Sequence, residues 1–286
     1  MKNTITIAAD DFGLTRGVTN TILQTVDAGS VTRVSVIPNG EDVEYAIEEY
    51  KKRSERLTLA VHLNLTEGRA LSDKKDIPLL VDSAENFKYG VAGLWSAYLT
   101  AGKEIQSQFR QQVCHELTTQ LTWVRNASGI KALSVNGHQH VHLVPFIFDE
   151  LIALPDLKEV RTIREPFQWT WSFTQLLAHF VLTSLSNRTM PLLRRHGIGT
   201  NESFIGFVHS GHMTEEALRA GLARAEGSVE ILLHPGSAAS GELARWGGTR
   251  VDIGWHYSPW RSKEREMLLR PDFLANLKRP LRSPVF

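Results

Sequence analysis

The sequence has a single cysteine, no long apolar run and no excess of charge of either sign. Cys114 is the only cysteine among 286 residues, so the chain cannot form an internal disulfide, and this composition suits a reducing cytoplasm. The 32 lysines and arginines nearly balance the 31 aspartates and glutamates, which argues against a nucleic-acid partner or an anionic membrane surface. A small neutral substrate fits this balance better.

The apolar segments are too short to cross a bilayer. The longest, Phe173–Leu185, is interrupted by Gln175 and His179 and falls short of the about 20 residues that a spanning helix needs. We interpret it as a core or interface helix. The first nine residues lack the pattern of a signal peptide. Together these features predict a cytoplasmic protein without a transmembrane segment.

Short runs rich in Val, Ile and Thr alternate with segments of helical spacing. The runs, which are candidate strands, are Thr4–Ala9, Thr32–Ile37, Thr58–Leu65, Lys131–Val135, Glu159–Ile163, Ser203–Val208 and Val229–Leu233. This alternation is typical of parallel strands joined by helical crossovers. It predicts an α/β sheet that closes into a barrel of about seven strands, with a doubly wound open sheet as the alternative.

No Pro-, Gly- or Ser-rich linker divides the chain and no segment repeats, so we predict one domain over residues 1–286. Residues 71–102 are long and irregular enough to form an insertion beside an active site. Residues 259–286 contain four prolines and are predicted to be a C-terminal extension, a helix followed by an irregular strap.

Ionisable residues lie at the ends of four candidate strands. Asp10 and Asp11 end the first, His62 lies near the end of the third, the segment His138–His142 follows the fourth, and His234 ends the last. The carboxyl ends of parallel strands share one face, where active sites are built. Imidazoles and one carboxylate can hold a divalent ion, and a second carboxylate can act as a base.

Each of these residues also has a purely structural interpretation. Two aspartates before a helix can cap its backbone N–H groups, and a lone His62 is often a core or rim residue. His138, His140 and His142 alternate, so in an extended segment they would point to one face. The Asp-Phe-Gly sequence also occurs in protein kinases, but here it opens the chain without the upstream motifs that a kinase needs.

Three ordered motifs resemble those of the YdjC-type carbohydrate deacetylases, which include chitooligosaccharide deacetylases and hopanoid-biosynthesis relatives. The motifs are Ala9-Asp10-Asp11-Phe12-Gly13, VHLNLTEG at 61–68 and HQHVHLVP at 138–145. The resemblance implies a distorted (β/α) TIM-like barrel of the glycoside hydrolase/deacetylase type. It also implies a divalent ion, usually Mg²⁺, held by Asp11, His62 and His138.

The donor types leave the native ion open, because two histidines and one carboxylate also suit Zn²⁺ and other transition metals. The chain departs from the family at Asn136-Gly137, where relatives usually have Asp-Ser. An amide cannot supply the charge of a carboxylate. If that acid normally orients a ligand histidine, its loss should weaken metal binding or alter substrate preference.

The expected reaction is metal-dependent hydrolysis of an N-acetyl group from an amino-sugar, with release of acetate. Asp10 is the expected base and His234 the first-ranked acid, with His140 and His142 as substrate-binding residues or alternative acids. The substrate is a chitooligosaccharide or the sugar head of a glycolipid. The aromatic segment Phe167–Trp171 can stack on sugar rings, although buried packing is the simpler interpretation.

Two alternative functions stay open from the sequence. One is another metal-dependent amidohydrolase or phosphoesterase on the same barrel, and the other is a non-catalytic sugar-binding relative. A cyclic amidohydrolase would place a His-x-His pair on its first strand, whereas this chain has aspartates there. The apolar stripe Leu176–Leu185 can form a homodimer contact as readily as a core.

Overall fold

A computed structural model describes residues 4–169, 172–239, 241–244, 246 and 253–277. Thr170 and Trp171 of the aromatic segment, and the chain after Leu277, lie outside the described residues. Within them, the strands that form the sheet are β1 (Thr4–Phe12), β2 (Arg33–Val36), β3 (Thr58–Leu63), β4 (Leu133–Gly137), β5 (Leu157–Val160), β6 (Ser203–Ile205) and β7 (Ser228–Leu233). The predicted strands are confirmed, with ends that differ by a few residues.

All strand pairs are parallel, and the sheet has the order β5-β4-β3-β2-β1-β7-β6. Its two edges, β5 and β6, approach each other through one parallel bridge between Glu159 and Gly199. Just beyond, the backbone N–H of Phe204 donates to the carbonyl of Arg164 at 3.1 Å. The sheet is therefore curled into an incomplete barrel, which confirms the predicted fold class over the open-sheet alternative.

Charged side chains cross the inside of this barrel. Arg33 on β2 donates to Glu159 on β5 at 2.8 Å and to Glu230 on β7 at 3.0 Å. In the sheet order two strands lie between β2 and β5, and one lies between β2 and β7. In a flat sheet with strands about 4.8 Å apart, the side chains of β2 and β5 would be out of reach of each other. The ion pairs therefore depend on the curvature of the sheet.

Helices connect the strands and cover the outside of the sheet. They are α1 (Arg16–Asp27), α2 (Val43–Lys51), α3 (Val91–Thr100), α4 (Lys103–Ser128), α5 (Pro145–Ile152), α6 (Phe173–Arg195), α7 (Glu215–Leu222), α8 (Ile253–His256), α9 (Pro259–Leu269) and α10 (Phe273–Leu277). In α1, the Thr15 hydroxyl accepts the N–H of Val18 at 3.2 Å, and Val18, Ile22 and Val26 are buried four residues apart.

The two segments predicted as additions to the barrel both contain helices. Residues 71–102 include α3, and two antiparallel bridges, Arg69 to Asn86 and Val81 to Phe87, close the loop before it. The predicted C-terminal helix is confirmed as α9. It packs on α1 and is tied down where the Ser30 hydroxyl donates to the carbonyl of Leu268 at 2.5 Å.

The first half of α6 is not a core helix, which was one of the two interpretations of the apolar segment Phe173–Leu185. Phe173, Leu177 and Phe180 are 78%, 56% and 56% exposed, so these residues do not form a core, and an interface role stays a prediction. Cys114 lies on α4 and is only partly buried. In the part of the chain that the structure describes, no helix is both long enough and apolar enough to cross a membrane.

Candidate active site

Both aspartates at the end of β1 face the same histidine. Consecutive residues of a regular strand point to opposite faces, but β1 has a register shift between Ala9 and Phe12, and Asp11 has a positive φ of 64°. A bulge of this kind re-aims side chains. As a result Asp10 Oδ2 lies 3.5 Å from His62 Nδ1, and Asp11 Oδ1 lies 3.6 Å from His62 Nε2.

Asp11, His62 and His138 bring three donor atoms together. Asp11 Oδ1 lies 3.6 Å from His138 Nδ1, and His62 Nε2 lies 3.3 Å from the same nitrogen. An ion about 2.1 Å from each donor needs donors roughly 3.0–3.4 Å apart in octahedral or tetrahedral geometry. Asp11 Oδ1 is buried and has no hydrogen-bond partner. The three residues therefore fit a divalent ion.

The charge around His138 also favours a cation. Burial lowers the pKa of this imidazole, but Asp11 and Glu67 outweigh burial and raise the pKa to about 10. By contrast, burial lowers the pKa of His62 despite the nearby Asp10. The centre of the site is thus negative enough to hold one positive charge, either an imidazolium or a metal ion.

Asn136 orients His62 at the position where the sequence resemblance leads us to expect an acid. Its amide nitrogen donates to the Ser35 hydroxyl at 2.8 Å, so its oxygen faces His62 Nδ1 at 2.5 Å and accepts that N–H. His62 Nε2 is then left free to act as a ligand. A side chain at Gly137 would begin 2.8 Å from His142 Nδ1, so serine does not fit there without movement. The amide supplies the orienting contact without a negative charge.

A second group, Glu67 and His256, lies on the other side of His138. Glu67 Oε2 is 3.3 Å from His138 Nε2 and 3.3 Å from His256 Nε2. The backbone N–H of Glu67 donates to the side-chain oxygen of Asn64 at 3.2 Å, which holds the loop after β3. These three residues form a second possible ligand group that shares His138 with the first. Sequence reasoning assigned neither Glu67 nor His256 a role, although Glu67 lies in the VHLNLTEG motif.

Two buried arginines hold the aspartates in the ionised state. Arg161 Nη1 and Nη2 donate to the two oxygens of Asp10 at 2.6 and 3.0 Å, and Arg161 Nε donates to Glu230 at 2.7 Å. Burial alone would raise the pKa of Asp10, but the Arg161 guanidinium and His62 hold it well below its usual range. Asp10 is therefore ionised in the resting site.

Arg261 on α9 keeps Asp11 ionised, as Arg161 does for Asp10. Its Nη1 donates to Asp11 Oδ2 at 2.9 Å, and its Nε donates to the carbonyl of Gly236 at 2.7 Å. Burial would raise the pKa of Asp11, but Arg261 and His138 keep it well below the usual range. Because Arg261 occupies Oδ2, the other oxygen is the one that faces the histidines.

His234 lies where β7 ends, as the sequence predicts. Its backbone N–H donates to Glu264 at 2.6 Å, and its ring packs edge-on against Trp255 with the centroids 5.0 Å apart. Burial lowers the pKa of His234 to about 4, although Asp11 acts in the opposite direction. The ring is therefore neutral around pH 7.

The three histidines after β4 do not share one face. Residues His138–Leu143 form a 3₁₀ segment in which Gln139 and His140 have positive φ, so the extended geometry expected from the alternation is absent. His140 lines the same cavity as His138. His142 is fully buried, donates from Nε2 to the carbonyl of Arg161 at 3.0 Å, and is not among the residues that line the cavity.

A cavity of about 790 Å³ opens over these residues. Its polar end is formed by Asp10, His62, His138, His140 and His234, with Glu67 and Gln139 beside them. Its sides are formed mostly by apolar residues of α3 and α6, namely Val91, Ala92, Trp95, Leu177, Ala178, Val181 and Leu182, with Phe207 nearby. The residues predicted from strand ends thus meet at one end of a space large enough for a sugar.

The chain matches known proteins over most of its length. The model of a family described as "YdjC-like protein" matches residues 4–279. The chain is 29% identical over 248 residues to a carbohydrate deacetylase of Mus musculus, which covers 81% of this chain and 77% of the relative. It is 23% identical to a chitooligosaccharide deacetylase of Citrobacter koseri, with 82% of each chain covered.

A solved structure supports the fold. A protein of Enterococcus faecalis V583 assigned to cellobiose-phosphate cleavage superposes with a TM-score of 0.68 at 20% identity, covering 97% of this chain and 95% of the other. At this identity the likeness concerns the fold alone.

Proposed function

Because this chain belongs to the YdjC-like family, we propose that it is a metal-dependent carbohydrate deacetylase that hydrolyses the N-acetyl group of an amino-sugar and releases acetate. The observation that carries the proposal is the meeting of Asp11, His62 and His138 at one end of a cavity that Asp10 and His234 also line. This arrangement combines a cation site with an ionised carboxylate and a neutral imidazole, which amide hydrolysis can use as proton acceptor and proton donor.

The proposed metal ligands are Asp11 Oδ1, His62 Nε2 and His138 Nδ1. When bound there, a divalent ion would polarise the acetamide carbonyl and acidify water. Magnesium is the ion that the family resemblance implies, whereas two imidazoles and one carboxylate bind zinc and other transition metals more tightly in general. Loading the stripped protein with each ion and measuring turnover distinguishes them.

Asp10 and His234 would move the protons. Asp10 accepts a proton from the attacking water, and Arg161 holds both of its oxygens so that one faces the site. The leaving amine needs a proton, because an amide anion is a very poor leaving group. The proton that Asp10 takes from water would pass to the neutral ring of His234, whose low pKa rises as negative charge develops beside it, and His234 would then deliver this proton to the amine. His140 would contact the sugar from the same end of the cavity, while His142 would support the site from beneath.

The first test is acetate release from N,N′-diacetylchitobiose by the purified protein. We expect release that stops with a chelator and returns when magnesium or zinc is restored. A protein that is folded by circular dichroism but releases no acetate with either ion would exclude the chitooligosaccharide substrate and leave a glycolipid substrate or a different hydrolase. The single cysteine supports the further proposal that this activity is cytoplasmic.

Removing either ligand histidine should empty the metal site. We expect His62→Ala and His138→Ala to weaken metal binding by more than the roughly 10–100-fold that loss of a ligand's hydrogen-bond partner costs. The measurement is metal content by elemental analysis after gel filtration. His196→Ala is the matched control, because His196 is exposed at the end of α6. Wild-type metal content in both ligand variants would refute the assignment.

Metal binding should become stronger as the pH rises. The pKa of His138 is raised to about 10, so this ring carries a proton at neutral pH, and the ion must displace it. We expect the apparent affinity to rise about tenfold per pH unit between pH 7 and 9, with about one proton released per ion. Calorimetry in buffers of different ionisation enthalpy measures this number. An affinity that is constant above pH 7 would show an ordinary histidine instead.

A further inference from the structure

The two ring nitrogens of His138 face different carboxylates. Nδ1 lies 3.6 Å from Asp11 Oδ1, whereas Nε2 lies 3.3 Å from Glu67 Oε2. A neutral imidazole has one N–H donor and one lone pair, so one nitrogen can bind an ion while the other keeps its proton. Unless the ring loses both protons, an ion in the group around Asp11 and an ion in the group around Glu67 therefore exclude each other.

The carboxylate of Glu67 already faces other N–H groups. Gln139 Nε2 donates to Oε1 at 2.9 Å, and His256 Nε2 lies within hydrogen-bond distance of Oε2 at 3.3 Å. His256 Nδ1 is buried and has no hydrogen-bond partner among the described residues. A proton on Nδ1 would be buried without an acceptor, whereas a proton on Nε2 faces a carboxylate. His256 Nε2 is therefore a donor to Glu67, with no lone pair to give to an ion.

The first ligand group has the opposite character. Asp11 Oδ1 is buried without a hydrogen-bond partner in the described part of the chain, and Asn136 accepts the Nδ1–H of His62. The Asp11 oxygen and the free Nε2 of His62 thus face His138 Nδ1 with lone pairs, at 3.6 and 3.3 Å. Lone pairs that converge without a donor favour a cation. The ion is therefore best placed in this group, which leaves Glu67 to the other nitrogen of His138.

The position of Glu67 is fixed by the loop after β3. Its N–H donates to Asn64 Oδ1 at 3.2 Å, and its carbonyl accepts from Asn64 Nδ2 at 2.7 Å and from Asn39 Nδ2 at 3.0 Å. Gln139, which donates to the carboxylate, has a φ of 51°, a left-handed conformation that is uncommon outside glycine. Such conformations cluster at functional sites. The carboxylate is thus held in place beside His138.

We propose that Glu67 is a positioning residue that selects which atom of His138 binds the metal. Its carboxylate takes the Nε2–H of His138, and the Nδ1 lone pair is then directed at Asp11 and His62. The site holds one ion per chain, and Glu67 and His256 are not ligands. This inference rests on the proposed metal-dependent function and names a residue that supports its metal site.

The wild-type protein loaded with zinc tests the choice of ligand atom. Long-range proton–nitrogen NMR spectra show which nitrogen of each histidine ring keeps its proton, and the His138 signals are assigned by their loss in His138→Asn. We expect His138 to be protonated at Nε2 and bound at Nδ1, with one zinc per chain by elemental analysis after gel filtration. A ring bound through Nε2, or a second zinc that Glu67→Gln removes, would overturn the inference.

Glu67→Gln should weaken zinc binding. The variant loses the charge and one acceptor oxygen, so one of the N–H groups of Gln139, His256 and His138 would face an NH₂ group. We expect the Kd for zinc to rise roughly 10–100-fold, which is the usual cost of losing the partner of a ligand histidine. Competition with a chromophoric chelator measures this Kd.

Glu116→Gln is the matched control. Glu116 is also buried and accepts the backbone N–H groups of Leu71 and Ser72, a few residues after Glu67. It does not line the cavity over the histidines, so its variant should keep the Kd within about threefold of the wild type. An equal rise in both variants would show general loosening of the loop and overturn the positioning role.

Metal binding tests this inference separately from turnover. Equal Kd values in the wild type and in Glu67→Gln, with both proteins folded by circular dichroism, would overturn it. If zinc binds as expected but no acetate is released, the proposed reaction fails and the positioning role of Glu67 stands. If Glu67→Gln does not fold, the wild-type spectrum alone decides between the two ring nitrogens.

Discussion

Replacing Asp10 with asparagine is expected to lower kcat for acetate release by roughly a hundredfold to ten-thousandfold, which is the usual effect of removing a general base. The asparagine keeps the shape of the side chain and one oxygen for Arg161, but it cannot take a proton. Asp10 is not a member of the ligand group around His62 and His138. Metal content per protein should therefore stay near the wild-type value, measured by elemental analysis.

Glu230→Gln is the matched control for that variant. Glu230 and Asp10 both accept hydrogen bonds from Arg161 and are both buried, so each change weakens the pairing of the same guanidinium. Glu230 does not line the cavity over the histidines, and its variant should lose less than about tenfold in kcat. If both variants lose activity equally, Asp10 acts through Arg161 and not as the base.

Replacing Arg161 with methionine is expected to lower the free energy of unfolding by roughly 3–5 kcal/mol, because removing one partner of a buried ion pair leaves uncompensated charge. Here Asp10 loses its guanidinium partner and Glu230 keeps only Arg33, and the two carboxylates are just 1% and 2% exposed. Chemical denaturation at pH 8 measures the change. The loss should shrink as the pH falls, because burial then raises the pKa of the unpaired carboxyls and protonation removes their charge.

Arg188→Met is the control for Arg161→Met. Arg188 pairs with Asp149 at 3.4 Å, and these side chains are 45% and 34% exposed, so the loss of Arg188 should cost less than about 1 kcal/mol. Equal unfolding free energies for the two variants would show that the interior charges of the barrel contribute nothing to stability.

The fold could be predicted because strand and helix periodicities are local properties of the sequence. The runs near Thr58 and Val229 became β3 and β7, and α1 buries the residues that the four-residue spacing marks. Parallel strands also place their carboxyl ends on one face. For this reason the aspartates after β1 could be grouped with the histidines at the other strand ends, whereas the choice of Asp11, His62 and His138 as ligands came from the family resemblance.

The two buried arginines and His256, which support the site, could not be predicted from spacing in the sequence. Arg161 follows β5 at a position 151 residues from Asp10, and Arg261 lies 250 residues from Asp11. Neither arginine belongs to a motif, and His256 carries no pattern in the sequence. They reach the site only because the barrel brings β5 round to β1 and because α9 packs on α1. The backbone of the histidine segment was likewise decided by its surroundings, since positive φ at Gln139 and His140 breaks the extended alternation.

The sequence by itself thus determined the order of the elements and the residue types at the strand ends, because both follow from local spacing and from the geometry of parallel strands. Only the tertiary structure decided the ionisation state of those residues and which other side chains line the cavity. The ionised state of Asp10 and Asp11 depends on burial and on arginines from distant elements. The exposure of Phe173, Leu177 and Phe180 depends on which face α6 turns outward, and local spacing in the sequence does not fix that orientation.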